Sequence, residues 1–294
     1  MTAPAHPDVT IAIACYNQAH FLAEAIQSAL SQSLRPEAVI VVDDGSVDNT
    51  AEVAGAWAGV RYHHQANAGL SAARNTGLAL ARTRLVLFLD ADDRLTPDAL
   101  RNAVGRFEDC PDAAFVYGGY REITEDGQPI GDHAPHVPAD AFRALLRNNF
   151  IGMHGTVLYD TERLRAIGGF DTHLTACEDW DVYLRLARRH PIAAYPAIGA
   201  EYRRHGAGMS LDVRRMAAMT ELVMARQREL GLDAEGSRAA LSGIAFARRW
   251  RSQRLIGVMR STPRRALGIA WTGWRNDALF PLRLVAAALR SLRR

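Results

Sequence analysis

Short apolar runs alternate with helical patterns over the first hundred residues, and this alternation constrains the fold more than any other feature. The apolar runs predict strands at Val9–Cys15, Ala38–Val42, Val60–His63 and Leu85–Leu89. The patterns between them predict helices near 20–32, 48–57, 70–81 and 97–107. Strands that are apolar on both faces and separated by helices form a parallel sheet with helices on each side. We therefore expect an α/β fold with a mainly parallel sheet flanked by helices.

The rest of the chain is less regular. Further strands are predicted at Phe115–Tyr117 and Thr156–Tyr159, a loop over 122–138, and helices at 139–148 and from about Glu178 to His190. From residue 212 onward the pattern is helical. We expect a first domain over 1–211, in halves of 1–110 and 111–211, followed by a helical C-terminal extension over 212–294.

Polar residues follow three of the four predicted amino-terminal strands. Tyr16 and Asn17 follow the first strand, Asp43 and Asp44 the second, and residues 90–93 the fourth. Ligands of parallel sheets bind beyond the carboxyl ends of the strands. The sequence therefore predicts a binding site at this edge of the sheet.

Three carboxylates in four residues, Asp90, Asp92 and Asp93, follow a buried strand and would repel one another. A divalent cation such as Mg²⁺ or Mn²⁺ would relieve that repulsion. The two-residue period of a strand predicts that Asp90 and Asp92 point the same way while Asp93 diverges. The alternative is a polar turn, with Thr96 as N-cap and Pro97 as the first helical residue. We favour the metal site, because the turn does not require three acids.

Two further segments each allow a structural and a functional interpretation. Residues 43–48 are typical of a turn before a helix, although their carboxylates could accept hydrogen bonds from a uracil imide or ribose hydroxyls. Residues 67–77 open a helix whose amino end and Arg74 could both face an anion. The alternative for the second segment is a capped surface helix with a solvated Arg.

Residues 175–180 have the spacing of a capping box, in which Thr175 caps a helix and Glu178 reaches back. This interpretation leaves Asp179 unexplained. A helix dipole would hold Asp179 ionised, as a general base requires. Residues 202–205 combine arginines with His205, which suits a diphosphate and its metal, and a solvated basic turn is an equal alternative.

In order and spacing, these segments resemble the inverting family 2 glycosyltransferases, which have a GT-A fold. The matching segments are IAIACYN at 11–17, VVDDGSVDNT at 41–50, NAGLSAARNTG at 67–77, LFLDADD at 87–93, GGFD at 168–171, EDWDVYLRLA at 178–187 and YRRH at 202–205. One departure is Ala14, where many members have Pro. The resemblance implies that residues 1–110 bind a nucleotide sugar and that 111–211 form the acceptor half.

The resemblance also implies roles for individual residues. Asp43 or Asp44 would hold the nucleotide base and Asp90 the ribose region. The donor site as a whole is expected to include Tyr16, Asn17, Asp43, Asp44, Arg74, Asp90, Ala91 and Arg203. Asp92 and His205 would bind Mn²⁺ or Mg²⁺. Asp179 would be the catalytic base, and Glu178 and Trp180 would lie near the acceptor.

The function implied is metal-dependent, inverting transfer of a sugar from a nucleoside-diphosphate sugar, UDP-linked, to a hydroxyl acceptor. The acceptor would be a saccharide or a lipid-linked molecule in bacterial polysaccharide, lipopolysaccharide or other glycoconjugate biosynthesis. One alternative is a sugar-1-phosphate nucleotidyltransferase, which usually needs a basic, glycine-rich loop that residues 14–17 lack. Another is a non-catalytic nucleotide-sugar-binding protein, which would not need all three of Asp90, Asp92 and Asp179.

Charge and composition bear on partners and location. Residues 1–211 have 18 Arg and 26 acids, a net charge of −8, whereas residues 212–294 have 17 Arg and six acids, a net charge of +11. The acidic first domain argues against nucleic-acid binding. Residues 278–292 resemble a basic interfacial helix that contacts a membrane peripherally, and the alternative is a helix packed on the first domain. Lacking a long apolar run, the protein is expected in the cytoplasm or at the inner face of the cytoplasmic membrane.

Overall fold

The structure is a computed structural model and describes residues 8–206 and 212–261, with side chains described up to residue 250. The strands are β1 Val9–Cys15, β2 Ala38–Asp43, β3 Val60–His64, β4 Leu85–Asp90, β5 Arg94–Leu95, β6 Phe115–Ile123, β7 Pro129–His133, β8 Val157–Asp160 and β9 Ile192–Arg203. The helices are α1 Ala19–Leu30, α2 Thr50–Gly55, α3 Leu70–Leu80, α4 Ala99–Asp109, α5 Ala141–Arg147, α6 Thr161–Ala166, α7 Glu178–Ala187, α8 Val213–Glu229 and α9 Ala234–Ser261.

Within these residues the nine strands form one sheet, in the order β3-β2-β1-β4-β8-β6-β9-β5, with β7 paired to β6. The first four strands lie side by side in the order β3-β2-β1-β4 and are parallel to one another. β8 is antiparallel to β4 and to β6, and β9 is parallel to β6. The expected α/β class, with a parallel sheet flanked by helices, is confirmed.

The buried strands explain why the sheet forms. Every residue of β1 and β2 is buried, because helices cover both faces of the sheet. On one face, Ile11 and Ile13 of β1 share a core cluster with Leu22 of α1. On the other face, α3 approaches so closely that a Cβ added to Gly77 would lie 2.8 Å from the Ala12 methyl group. The alternation of side chains along β1 thus fixes α1 and α3 on opposite faces.

Besides the short β5, two parts of the sheet differ from the sequence expectation. Residues 122–138, expected to be a loop, contain the end of β6 and all of β7. β9, which the sequence did not predict, runs for 12 residues and contains Pro196 and Gly199. Both residue types are unfavourable in strands, and pairing with β6 overrides that preference through shifts of register near Gly119.

The chain divides into two compact units, of which the first comprises residues 1–145 and 149–208 and the second 146–148 and 209–294. In the second unit α8 packs against α9, and the Arg248 guanidinium pairs with Glu221 at 2.9 Å. Among the described residues, no helix is both long and apolar enough to cross a bilayer. The segment 278–292, for which a helix at a membrane surface and a helix packed on the first domain were the two alternatives, lies outside the described residues.

Candidate functional site

The acidic cluster, which we define as Asp90, Asp92 and Asp93, lies where β4 ends. The strand stops at Asp90, and the Asp93 amide donates to the Asp90 carbonyl oxygen at 3.1 Å, which closes a tight turn. One carboxylate oxygen of each acid thereby lies within 4.8 Å of the other two. The prediction that Asp93 diverges is wrong, because the two-residue period applies only while the strand continues.

The segment after the acidic cluster forms β5, which pairs with β9, and not the start of a helix. The Thr96 hydroxyl donates to the carbonyl oxygen of Ile198 in β9 at 2.7 Å. Helix α4 begins only two residues after Pro97 and has Asp98 as its N-cap. The prediction of Thr96 as N-cap and Pro97 as first helical residue is therefore wrong, since pairing with β9 delays the helix.

The two residues predicted as metal ligands are neighbours in the structure. His205 Nε2 lies 2.8 Å from Asp92 Oδ2, and Gln18 Nε2 donates to the same oxygen at 2.9 Å. His205 lies two residues after the end of β9, which continues past β5 to the acidic cluster. The pairing of β9 with β5 therefore brings residues 113 positions apart together.

The electrostatics of the acidic cluster suit a divalent cation. Burial and the negative charges of Asp92 and Asp90 raise the pKa of Asp93 well above its usual range. Burial also raises the pKa of Asp90, although the Arg74 guanidinium opposes the rise. Carboxylate and imidazole groups are ligands of Mg²⁺ and Mn²⁺, and either ion would relieve the repulsion. The residues present therefore fit such a metal.

Asp43 is the last residue of β2, Asp44 follows it, and both are buried. Asp43 accepts hydrogen bonds from the Tyr62 hydroxyl at 2.6 Å and from the Ser46 amide at 2.8 Å. Asp44 accepts hydrogen bonds of 2.7 to 3.0 Å from Gln65 Nε2 and from the amides of Ala68 and Gly69. Both carboxylates thus order the loops that lie beside the acidic cluster at the carboxyl edge of the parallel strands.

The residues after β1 are held in an unusual backbone conformation. Asn17 has a φ of 53°, which asparagine tolerates better than most residues. Asn17 Oδ1 accepts from the Val47 amide at 2.8 Å, so the β1 and β2 loops are joined. Tyr16 is 51% exposed, whereas the Ala91 methyl group is fully buried.

Arg74 lies between two carboxylates and is only 2% exposed. One terminal nitrogen donates to Asp90 Oδ1 at 2.7 Å and the other to Glu178 Oε1 at 2.6 Å. The alternative of a solvated surface arginine is therefore wrong. Arg74 instead joins the acidic cluster to the start of α7.

Arg203 is also buried, and its donors are used within the protein. Its backbone amide donates to Asp93 Oδ1 at 2.9 Å and Nε to the Asp92 carbonyl oxygen at 2.8 Å. The guanidinium also donates to Glu24 Oε2 at 2.8 Å and to the carbonyl oxygen of Glu125. The alternative interpretation, in which Arg203 belongs to a solvated basic turn, is therefore wrong. The Arg203 side chain instead holds the turn that bears the acidic cluster.

Helix α7 begins at Glu178, with Cys177 as its N-cap in a left-handed conformation of φ 61°. The capping-box alternative, with Thr175 as N-cap, is wrong, because the helix starts two residues later than that motif requires. The Glu178 carboxylate pairs with Arg74 instead. The buried ion pair overrides a local pattern that the sequence allowed.

Asp179 is half-buried, and Oδ1 accepts a hydrogen bond from the Trp180 amide at 2.7 Å. Burial and the adjacent negative charge of Glu178 raise the pKa of Asp179 to about 7, while the Arg74 guanidinium opposes the rise. Trp180 itself is buried, and its indole nitrogen donates to the Leu145 carbonyl oxygen at 2.9 Å. The expectation that the helix dipole holds Asp179 ionised is therefore wrong, because burial and the charge of Glu178 outweigh it. A carboxyl with a pKa near neutrality still suits a general base.

Gln18 and Tyr62 also belong to the site, although neither was predicted from the sequence. Gln18 contacts Asp92 across 74 residues of sequence, and Tyr62 contacts Asp43 across 19. Neither residue belongs to a motif, so no local signal indicates its role. Only the parallel register of the strands brings each one to the carboxylate that it contacts.

The fold and this site together define a GT-A glycosyltransferase arrangement. TarS of Staphylococcus aureus, in complex with UDP-GlcNAc, matches 95% of this chain and 88% of its own with a TM-score of 0.65 and 15% identity. The mannosyltransferase PcManGT of Pyrobaculum calidifontis, in complex with GDP-Man and Mn²⁺, matches 98% of this chain and 88% of its own with a TM-score of 0.65 and 19% identity. At these identities the likeness establishes the fold.

Residues 10–167 match the family described as Glycosyl transferase family 2, and the chain belongs to that family. Chondroitin synthase of Escherichia coli is 30% identical over 189 residues, which cover 63% of this chain and 27% of that enzyme. The chain spans about a third or less of the length of several curated relatives, this synthase included. The resemblance read from the motifs is confirmed.

Proposed function

We propose that the protein is an inverting glycosyltransferase that moves a sugar from a UDP-linked donor to a hydroxyl group. One observation carries this proposal: Arg74 joins Asp90 of the acidic cluster to Glu178, the neighbour of Asp179. A site suited to a metal and a diphosphate is thus adjacent to a carboxylate suited to a general base. Transfer from a nucleotide sugar needs both groups at one centre.

The donor would bind along the carboxyl edge of the parallel strands. Asp43 and Asp44, or the loops that they order, would contact the nucleotide base, and the exposed ring of Tyr16 would stack on it. Asp90 would contact the ribose region. Mn²⁺ or Mg²⁺ held by Asp92 and His205 would supply positive charge beside the diphosphate. TarS and PcManGT, with UDP-GlcNAc and GDP-Man, support a nucleotide-sugar donor.

Asp179 would accept the proton of the acceptor hydroxyl, whose oxygen attacks the anomeric carbon on the face opposite the diphosphate. The bond to the diphosphate breaks as the new glycosidic bond forms, so the configuration inverts. A single displacement needs no second carboxylate as nucleophile. Glu178 and Trp180 would lie near the acceptor. The likeness to chondroitin synthase supports a saccharide acceptor in the synthesis of a polysaccharide or another glycoconjugate.

Hydrolysis of the donor by water provides a first test, because it requires no acceptor. We expect slow release of UDP from a UDP-sugar that depends on Mn²⁺ and stops when the metal is chelated. A nucleotidyltransferase would instead make a nucleotide sugar from a nucleoside triphosphate and a sugar 1-phosphate. A binding protein would do neither, and either of these results would contradict the proposal.

The pKa of Asp179 gives the reaction a pH dependence with a definite sign. A general base acts only when ionised, and Asp179 loses its proton as the pH rises through about 7. We expect kcat/KM to rise about tenfold per pH unit below that value and to level off above it. The measurement is kcat/KM of donor turnover against pH at saturating Mn²⁺. A rate that stays level down to about pH 5 would contradict the assignment of Asp179.

A further inference from the structure

Four charged side chains meet at the start of α7, and only one of them is positive. The three carboxylates are Asp90 from β4 and Glu178 and Asp179 from α7, and the cation is Arg74 from α3. Arg74 donates to Asp90 and to Glu178, and its guanidinium lies 5.6 Å from the centre of the Phe170 ring. This arrangement places the buried Arg74 guanidinium between a carboxylate of the acidic cluster and a carboxylate at the start of α7.

We infer that Arg74 is a positioning residue whose two ion pairs fix the start of α7, and with it Asp179, to the acidic cluster. Its positive charge would also favour the ionised form of Asp179, which is the form that a general base requires. The inference rests on the proposed function, in which Asp179 is the base. Arg74 does not need to touch donor or acceptor in this role. Its two ion pairs set the distance between the metal-binding end of the site and the base.

The charged and titratable groups near Asp179 among the described residues include Arg74, Asp90, Glu178, Tyr159, Tyr183 and His154. His154 lies against both tyrosine hydroxyls, and burial together with the charge of Arg74 lowers its pKa well below its usual range, so it stays neutral. Burial raises the pKa of both tyrosines further above their usual range, so they stay neutral at physiological pH. The balance at Asp179 is therefore between the negative charges of Glu178 and Asp90 and the positive charge of Arg74.

This balance of charges predicts that the pH at which Asp179 ionises shifts in opposite directions in two variants. Arg74→Met removes the positive charge, so the pH at which Asp179 ionises should rise by about one unit. Glu178→Gln removes the adjacent negative charge, so that pH should fall. Arg74→Lys keeps the charge but cannot bridge two carboxylates as a guanidinium does. It should leave the pH dependence near that of the wild type while lowering the rate.

Arg185→Met is the matched control. Arg185 also anchors α7, through Asp181 at 2.7 Å and through the carbonyl oxygens of Ile167 and Gly169, away from the acidic cluster. Its loss should lower thermal stability without moving the ionisation of Asp179. If Arg74→Met does not fold, the double variant Arg74→Met/Glu178→Gln removes both members of the buried pair. In the double variant, Asp179 should ionise at a pH between the values for the two single variants.

Two measurements apply to each variant: kcat/KM of donor turnover against pH, and a carbon NMR titration of the Asp179 carboxyl, assigned by comparison with Asp179→Asn. A higher ionisation pH in Arg74→Met, with a lower one in Glu178→Gln, supports the inference. The inference is overturned if the Asp179 carboxyl in Arg74→Met titrates at the wild-type pH. It is also overturned if the Arg74→Met variant loses rate by the same factor at every pH. If Asp179→Asn keeps the wild-type rate, the assignment of Asp179 as the base in the proposed function fails instead, whatever the arginine variants show.

Discussion

Asp179→Asn is expected to reduce sugar transfer by roughly 10²–10⁴-fold, the usual contribution of general-base catalysis. The amide keeps the size of the side chain and can still accept from the Trp180 amide, but it cannot take a proton from a hydroxyl. The residues proposed to hold donor and metal lie on other elements. Affinity for the donor with Mn²⁺ should therefore stay near the wild-type value. Initial rates of transfer and calorimetry of donor binding measure the two effects separately.

Asp181→Asn is the matched control for this experiment. It makes the same substitution two residues further along α7, at a buried carboxylate that pairs with Arg185 and lies outside the proposed site. The Asp181→Asn variant should be less stable than the wild type and should transfer sugar at the wild-type rate. If Asp179→Asn binds donor normally and still transfers sugar at most of the wild-type rate, the base is another group.

Asp92→Ala is expected to remove the metal-dependent part of donor binding. Loss of an outer partner of a metal ligand alone costs about 10–100-fold in metal affinity, and loss of a ligand should cost at least as much. The apo protein should remain folded, because the substitution removes one of three mutually repelling carboxylates. Calorimetry of UDP with and without Mn²⁺, together with a thermal melt, measures both effects.

Asp132→Ala serves as the comparison for Asp92→Ala. Asp132 lies on β7, is exposed and pairs with Arg121 at 2.7 Å, so its loss should leave donor binding intact. An Asp92→Ala variant that binds UDP and Mn²⁺ as tightly as Asp132→Ala would exclude Asp92 as a metal ligand. An Asp92→Ala variant that fails to fold would contradict the prediction that the substitution relieves repulsion among the carboxylates of the metal-free site.

The sequence by itself determined the parallel half of the sheet and the edge at which the site lies. β1 spans Val9–Cys15, as predicted, and β4 extends only one residue past the predicted Leu85–Leu89. A strand buried on both faces must be apolar throughout, so its signal is contained within a few consecutive residues. The polar residues that end each strand are equally local, which is why Asp43 and Asp90 could be placed at the same edge.

The tertiary structure alone decided which of these residues contact one another. β9 contains Pro196 and Gly199, and its strand conformation depends on pairing with β6. Glu178 leaves the capping box because Arg74, 104 residues away, offers a buried charged partner. Asp93 turns back toward Asp90 and Asp92 because the strand ends. Each outcome depends on contacts between distant residues, and a buried ion pair or a sheet pairing stabilises the chain more than the local preference that it replaces.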